Sequence, residues 1–317
     1  MKINIDLLKE FEKTLDTVHP ERGKIPIEIL GYGEISLVFC IKGYNIAYKR
    51  IPIFDNEHQV KRHIWAYNTY NELLEKIGLN LPDFDVAWFK DERGKIQFYC
   101  IQEMIDVNSV ANKIIHQISK EQVKQLVLLV LKEMKKVWDF NKESNTYEVA
   151  LDGQISNFIV IDYNMNNPKI DENTKLGYLD TSTPLFRING KEAMEPELLL
   201  KSAPSFLRWL LKALFLEDTV DRYYDFRRVI IDLIANFYKE QLPDLIPTLI
   251  DLANKFLREE ASDHELDPIE GQEVSDYYKS DANMWEIFQR VRKLDRFIQT
   301  KILRKKYPFY LPAEIQR

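Results

Sequence analysis

An α+β chain in two parts is what the 317-residue sequence predicts. Three observations lead there. The first third alternates short apolar runs with turn residues, as strands do. One long stretch of helical periodicity interrupts those runs after the third. Most of the chain beyond the fifth run shows the three-to-four apolar spacing of helices. The expected order is β-β-β-α-β-β, a connector near residues 104–112, and a mainly helical part that holds a small β insert.

Taken in order, IPIEIL (25–30) reads as a short strand, and GYGE leads from it into ISLVFCI (35–41). KGYN (42–45) is a turn into IAYKRI (46–51). From about Asn56 to Ile77 the residues Val60, Ile64, Tyr67, Leu74 and Ile77 recur at helical spacing. DFDVAWFK (83–90) and KIQFYCIQEM (95–104) flank an ERGK turn. Ser119 is placed to cap the helix EQVKQLVLLVLKEMKKVWDF. Two short β-like pieces follow, around 150–162 and 175–180, and further helices are expected at about 196–215, 218–240, 244–258 and 281–304.

Hydrophobic content of 45% with 30% charged residues is ordinary for a soluble globular chain long enough for two lobes. A net charge of −6 argues against a chain devoted to nucleic acid. The five histidines show no metal-binding spacing. Cys40 and Cys100 lie in apolar runs and are expected as buried free thiols, which suits a reducing cytosol. MKINIDLLKEFEK lacks a signal-peptide core, and Lys201, Arg208 and Lys212 interrupt the most apolar later stretch. No membrane span and a cytoplasmic location are expected.

Several polar positions share one chemistry. Gly31, Gly33 and Ser36 lie in a loop between two strands, where glycines let backbone N–H groups approach a phosphate; a hairpin turn is the plainer reading. Lys49 lies on the third strand, where it is either solvent-facing or set beneath that loop. Glu57 shares a helical face with Val60 and Ile64 and is the candidate to hold the lysine, with Glu72 and Glu75 as alternatives. Asp152 and Asn157 stand five apart in ALDGQISNFIV: a carboxylate that can accept a hydroxyl proton, and an amide that can bind magnesium. Asp180 ends KLGYLD, and an aspartate there can hold a metal that bridges phosphates. Each has a bland reading as a turn or cap residue.

Those motifs, in that order, resemble the protein-kinase-like superfamily, nearest its aminoglycoside phosphotransferase and choline kinase branch. The resemblance runs from about residue 25 to 185, and more loosely beyond. It implies a bilobal fold: a small antiparallel sheet with one long helix (residues 1–104), then a mainly helical lobe (105–317) carrying the catalytic loop, metal ligands and acceptor site. It further implies ATP in the cleft, adenine near Gln102, Glu103 and Met104, phosphates on the Gly31–Ser36 loop and Lys49, and Mg²⁺ on Asn157 and Asp180. Asp152 would be the catalytic aspartate. The sequence departs from the family pattern at Ala150, where a histidine usually precedes the aspartate, and after Asp180, where Thr181-Ser182-Thr183 replaces Phe-Gly. The glycine loop lacks its third glycine, and the interval from Lys49 to Glu57 is short.

No stretch after Asp180 reads as a long activation loop, so the expected acceptor is a small hydroxyl-bearing molecule. Residues 258–276 carry eight acidic side chains, read as an exposed loop or as the lining of a pocket for a cationic amino-alcohol or aminosugar. The basic stretch from Phe288 to Tyr310 is expected as an amphipathic helix docked on the second lobe; RNA or a phospholipid surface is its alternative partner. The expected activity is ATP- and magnesium-dependent transfer of a phosphoryl group to that acceptor. The alternative is a kinase-like protein, catalytically weak or inactive, that binds nucleotide or serves as a scaffold.

Overall fold

The structure is a computed structural model that describes residues 1, 3–33, 35–212 and 220–311. Glu34 of the glycine loop, and the parts of two expected helices that fall on 213–219, lie outside the described residues. The first lobe is a five-stranded antiparallel sheet, β1 (Ile27–Tyr32), β2 (Leu37–Ile41), β3 (Ile46–Arg50), β4 (Phe84–Lys90) and β5 (Ile96–Glu103), in spatial order β1-β2-β3-β5-β4. Helix α2 (Glu57–Ile77) connects β3 to β4. Its ends obey local rules: the Asn56 side chain accepts the Gln59 N–H, and Gly78 closes the helix at φ 96°.

Strand alternation divides the first lobe's core in two. Phe39, Tyr48, Tyr99 and Ile101 face one side, where α1 (Ile5–Thr14) covers them with Leu8 and Phe11. Phe98 and Cys100 face the other side, against Val60 and Tyr67 of α2. Cys40 and Cys100 are both buried free thiols. The opposite flank of α2 buries Ala66, Tyr70 and Leu74 in the core of the second lobe. One helix therefore belongs to both lobes.

The second lobe is built around α4 (Lys120–Glu143), whose Ser119 and Gln122 form the reciprocal cap its sequence suggests. A four-residue helix, α3 (Ala111–Ile114), precedes it. Around it pack α6 (Phe226–Lys239), α7 (Ile246–Glu259) and α8 (Gly271–Phe297). Two small sheets complete the lobe: β6 (Tyr147–Val149), β9 (Phe186–Ile188) and β10 (Lys191–Glu192), and the pair β7 (Phe158–Val160) and β8 (Leu176–Tyr178). The two-lobed α+β organisation predicted from the sequence is the one observed.

Several elements differ from expectation, among them α1, β9 and β10, which were not expected. The helix expected from 196 is a 3₁₀ segment, Pro196–Ser202, followed by α5 (Ser205–Leu211), because Pro204 lacks the N–H a continuous helix needs. Helix α8 begins ten residues early, at Gly271, where Glu270 and Glu273 cap it reciprocally. The last basic stretch is helical to Ile302, close to the expected end near 304, but the residues after it pack on the first lobe rather than the second. After a π-type turn, Ile298–Ile302, the chain runs back over the first lobe and buries Tyr307, Phe309 and Leu311 beside Ile51 and Phe98. Arg292, one of the basic residues of that stretch, is fully buried and donates to the Tyr310 carbonyl at 2.7 Å. No helix among the described residues is long and apolar enough to cross a membrane.

Candidate functional site

On β3, Lys49 sits opposite Val38 and Cys100, and its Nζ donates to Asp180 Oδ1 at 2.8 Å. Asp180 comes from the end of β8, 131 positions along the chain. Its carboxylate also accepts the Ser182 hydroxyl at 3.0 Å. Burial alone would raise the Asp180 pKa, but the Lys49 charge and the hydrogen bonds from Lys49 and Ser182 hold it below the usual carboxylate value. The pairing of β7 with β8 sets Phe158 against Tyr178. It thereby brings Asn157 alongside Leu179, whose N–H donates to the Asn157 carbonyl at 2.8 Å.

The loop between β6 and β7 presents Asp152. Its side-chain Oδ1 accepts the Gln154 N–H at 3.1 Å, and the Asn157 amide donates to its carbonyl at 3.2 Å. Ala150, where the resemblance would place a brace, is fully buried. Tyrosines from elsewhere supply the brace. The Tyr70 hydroxyl donates to the Ala150 carbonyl at 2.7 Å, and the Asp152 N–H donates to the Tyr178 hydroxyl oxygen at 3.2 Å. Gly153 is required by close approach: a Cβ there would lie 2.5 Å from Val229 Cγ1 and 2.9 Å from the Val229 carbonyl oxygen. Burial and the Asp180 charge raise the Asp152 pKa to about 6.

Asp152, Asp180, Lys49, Gly33 and Ser36 line one cavity of about 730 Å³. Gly33 and Ser36 belong to the β1–β2 turn, closed by the Gly33 N–H on the Ser36 carbonyl at 3.1 Å. Neither Gly31 nor Gly33 has positive φ. Gly31 pairs with Val38 at a bulge, away from the cavity.

Glu57 is not beside Lys49. It opens α2 at the exposed end and pairs with Lys90 at 2.6 Å. The residue that α2 contributes to the lining of the cavity is His63, while Tyr67 packs in the core against Phe98 and Cys100. His63 is buried between Phe54 and Phe98, lines the cavity, and is held neutral because burial lowers its pKa to about 4. Gln102 donates to the Leu179 carbonyl at 2.9 Å, Glu103 is exposed, and the Met104 N–H reaches the Asn45 carbonyl at 3.4 Å. None of these three, nor Asn157, lines the 730 Å³ cavity.

The far wall of the cavity is a stripe of α8, Tyr277, Ser280, Asp281, Met284, Trp285 and Phe288, at helical spacing. Of the acidic stretch 258–276, Glu273 and Asp276 reach the cavity. Three arginines face them. Arg227 pairs with Glu273 at 2.6 Å and Arg222 with Asp281 at 3.2 Å, while Arg228 lies 3.7 Å from Asp225. The wall is thus charge-balanced rather than acidic. Asp232 on α6 is buried nearby, its pKa raised to about 7 by burial and then by the Asp152 charge. Sequence reading missed this wall, although the i, i+4 run Tyr277, Asp281, Trp285 was a usable signal. A separate cluster, Asp139, Asp263 and His264, is interleaved with Lys135 and Lys142, which supply its countercharge.

The chain belongs to a family of unknown function (DUF6206), whose profile matches residues 11–296. No curated protein resembles it significantly. Among solved structures it is similar to the GDP complex of a wild-type aminoglycoside 2'-phosphotransferase-IIIa, with 10% identity over 79% of this chain and 97% of that one and a TM-score of 0.35. It is also similar to WaaP in complex with acyl carrier protein, with 12% identity over 82% and 89% and a TM-score of 0.33. Scores this low carry nothing about ligand or substrate.

Proposed function

We propose that the protein is an ATP- and magnesium-dependent phosphotransferase that moves the γ-phosphate to a hydroxyl of a small molecule. One observation carries this reading: Lys49, Asp180 and Asp152, from three distant parts of the chain, meet on one cavity large enough for a small acceptor. In this reading Lys49 and the Gly33–Ser36 turn hold the phosphates, with residues 1–104 as the phosphate-binding lobe and 105–317 as the acceptor lobe. Asp180 and Asn157 offer a carboxylate and an amide oxygen, hard ligands suited to magnesium, and the Leu179–Asn157 hydrogen bond keeps their backbones adjacent. Magnesium, when bound, supplies charge neutralisation at the phosphates. Asp152 orients the acceptor hydroxyl and takes its proton, a role matched by a pKa near 6. The aromatic stripe of α8 holds the rest of the acceptor. The balanced arginine–carboxylate wall gives no particular preference to an amino-alcohol or aminosugar over a neutral polyol.

The test is turnover of ATP with magnesium over a panel of hydroxyl acceptors, for wild type and Asp152→Ala. The variant is expected to retain nucleotide-induced thermal stabilisation and to lose about 10²-fold or more in turnover. Unchanged turnover would remove Asp152 from the mechanism.

A second reading has its own support: the Asn157 amide is engaged by the Asp152 carbonyl and Asp180 by Lys49, so the metal ligands are tied to protein partners. On that reading the chain binds nucleotide without transferring phosphate. Stabilisation by ATP and magnesium with no turnover on any acceptor would favour it.

A further inference from the structure

The strand that turns Lys49 to the cleft sends Arg50 to the opposite face of the sheet, where a second cavity of about 420 Å³ opens. Its walls come from α1, the β4–β5 turn and the returning segment at Lys306 and Pro308. Seven cationic side chains line it against three acids, in a chain whose net charge is −6. The fold has gathered this positive charge; composition does not provide it.

The three acids are already engaged. Glu12 holds Arg50 at 2.5 and 3.1 Å and also accepts from Tyr99. Glu92 pairs with Lys13 at 3.0 Å. Asp91 accepts the N–H groups of Arg93 and Lys95, both at 2.9 Å, and the Gln97 amide at 3.0 Å. Asp91 thus fixes the hairpin turn that aims Arg93 and Lys95. Those two and Lys306 have no carboxylate in ion-pair contact among the described residues. The Lys306 amine donates to the Leu15 carbonyl, and its pKa is pulled down by burial and then by Arg50. Positive charge is crowded there: Arg50 and Arg93 both repel the Lys306 amine, and Glu12 and Asp16 offset them only in part.

We infer that this cavity binds a small anion carrying two or more phosphate groups. Three cationic side chains from two chain segments line one cavity, which suits several anionic oxygens at once, and Arg and Lys are the usual partners of phosphate. The volume is that of a small-ligand site, and acids among its lining residues disfavour an extended polyanion. A bound anion would tie α1, the hairpin and the C-terminal segment together and stabilise the first lobe. The site is independent of the cleft reading, since it lies on the other face of β3.

Thermal shift and calorimetry with sodium tripolyphosphate, on the full chain without nucleotide or magnesium, test this. A saturable stabilisation that weakens as salt is raised is expected. It should persist in Lys49→Met. In Arg93→Gln/Lys95→Gln, exposed positions where folding is not at risk, affinity should fall about tenfold or more. Lys306→Gln should weaken it similarly. No stabilisation of the wild type would overturn the assignment. So would a response lost in Lys49→Met but kept in the double variant, which would put the anion in the cleft. A response to anionic vesicles alone, without tripolyphosphate binding, would assign the patch to a lipid surface and overturn it as well.

Discussion

At Asp152, burial and the charge of Asp180 hold the carboxyl near 6. In the unfolded chain the same group titrates near about 4. Between those values the folded chain holds the extra proton, so stability falls as pH rises through that window. Above it the folded state carries the whole cost of a buried charge. Asp152→Asn is therefore expected to melt higher than wild type at pH 7 and no higher near pH 4, by calorimetry at both values. An equal difference at both pH values would assign the effect to something other than ionisation. The same carboxyl gives the proposed activity an acidic limb: kcat/KM should fall below an apparent pKa near 6, measured in a buffer series on the identified acceptor. Lys49, Asp152, Asn157 and Asp180 could all be singled out from residue type and spacing. Glu57 could not be placed that way, because a helix glutamate reads the same whether it faces Lys49 or, as here, Lys90.

At the scale of elements, the loop ALDGQISNFIV depends on what packs behind it. The Asp-Gly pair reads as a turn signal, yet Gly153 serves a close contact with α6. Gly153→Ala should destabilise by about 2 kcal/mol through overpacking against Val229, and lower activity by displacing Asp152. Urea melts and turnover measured together would check both effects. A neutral substitution would mean that α6 yields at Val229. Elements were legible where local rules govern them, as with Asn56 and Gly78 at the ends of α2 and Ser119 before α4. The early start of α8 escaped because Gly271 and the acidic run around it look like loop. Its cap depends on two glutamates acting on each other's backbone.

For the whole molecule, the segment at Tyr307–Leu311 closes the chain back on the first lobe, burying two aromatic rings and a leucine. Truncation after Lys305 would expose the groups they cover and leave Arg50 without the Pro308 carbonyl, to which it donates at 2.7 Å. A loss on the order of 5 kcal/mol is expected, because truncation removes the burial of three large apolar side chains. Denaturant unfolding of the truncated chain would measure it. A truncated chain as stable as the full one would show that this segment contributes no net stability.

The sequence by itself determined the β-β-β-α-β-β order of the first lobe's sheet and long helix, the division into two lobes, and the polar positions proposed for phosphoryl chemistry, since each rests on local periodicity and residue type. Only the tertiary structure decided which of them meet. Asp180 rather than Glu57 holds Lys49. Tyr70 and Tyr178 brace the loop that has alanine at position 150. A stripe of α8 closes the cavity on which Asp152 opens. These contacts join groups tens to more than a hundred residues apart. Their geometry depends on strand register and on how helices cross, and neither is written in the local pattern.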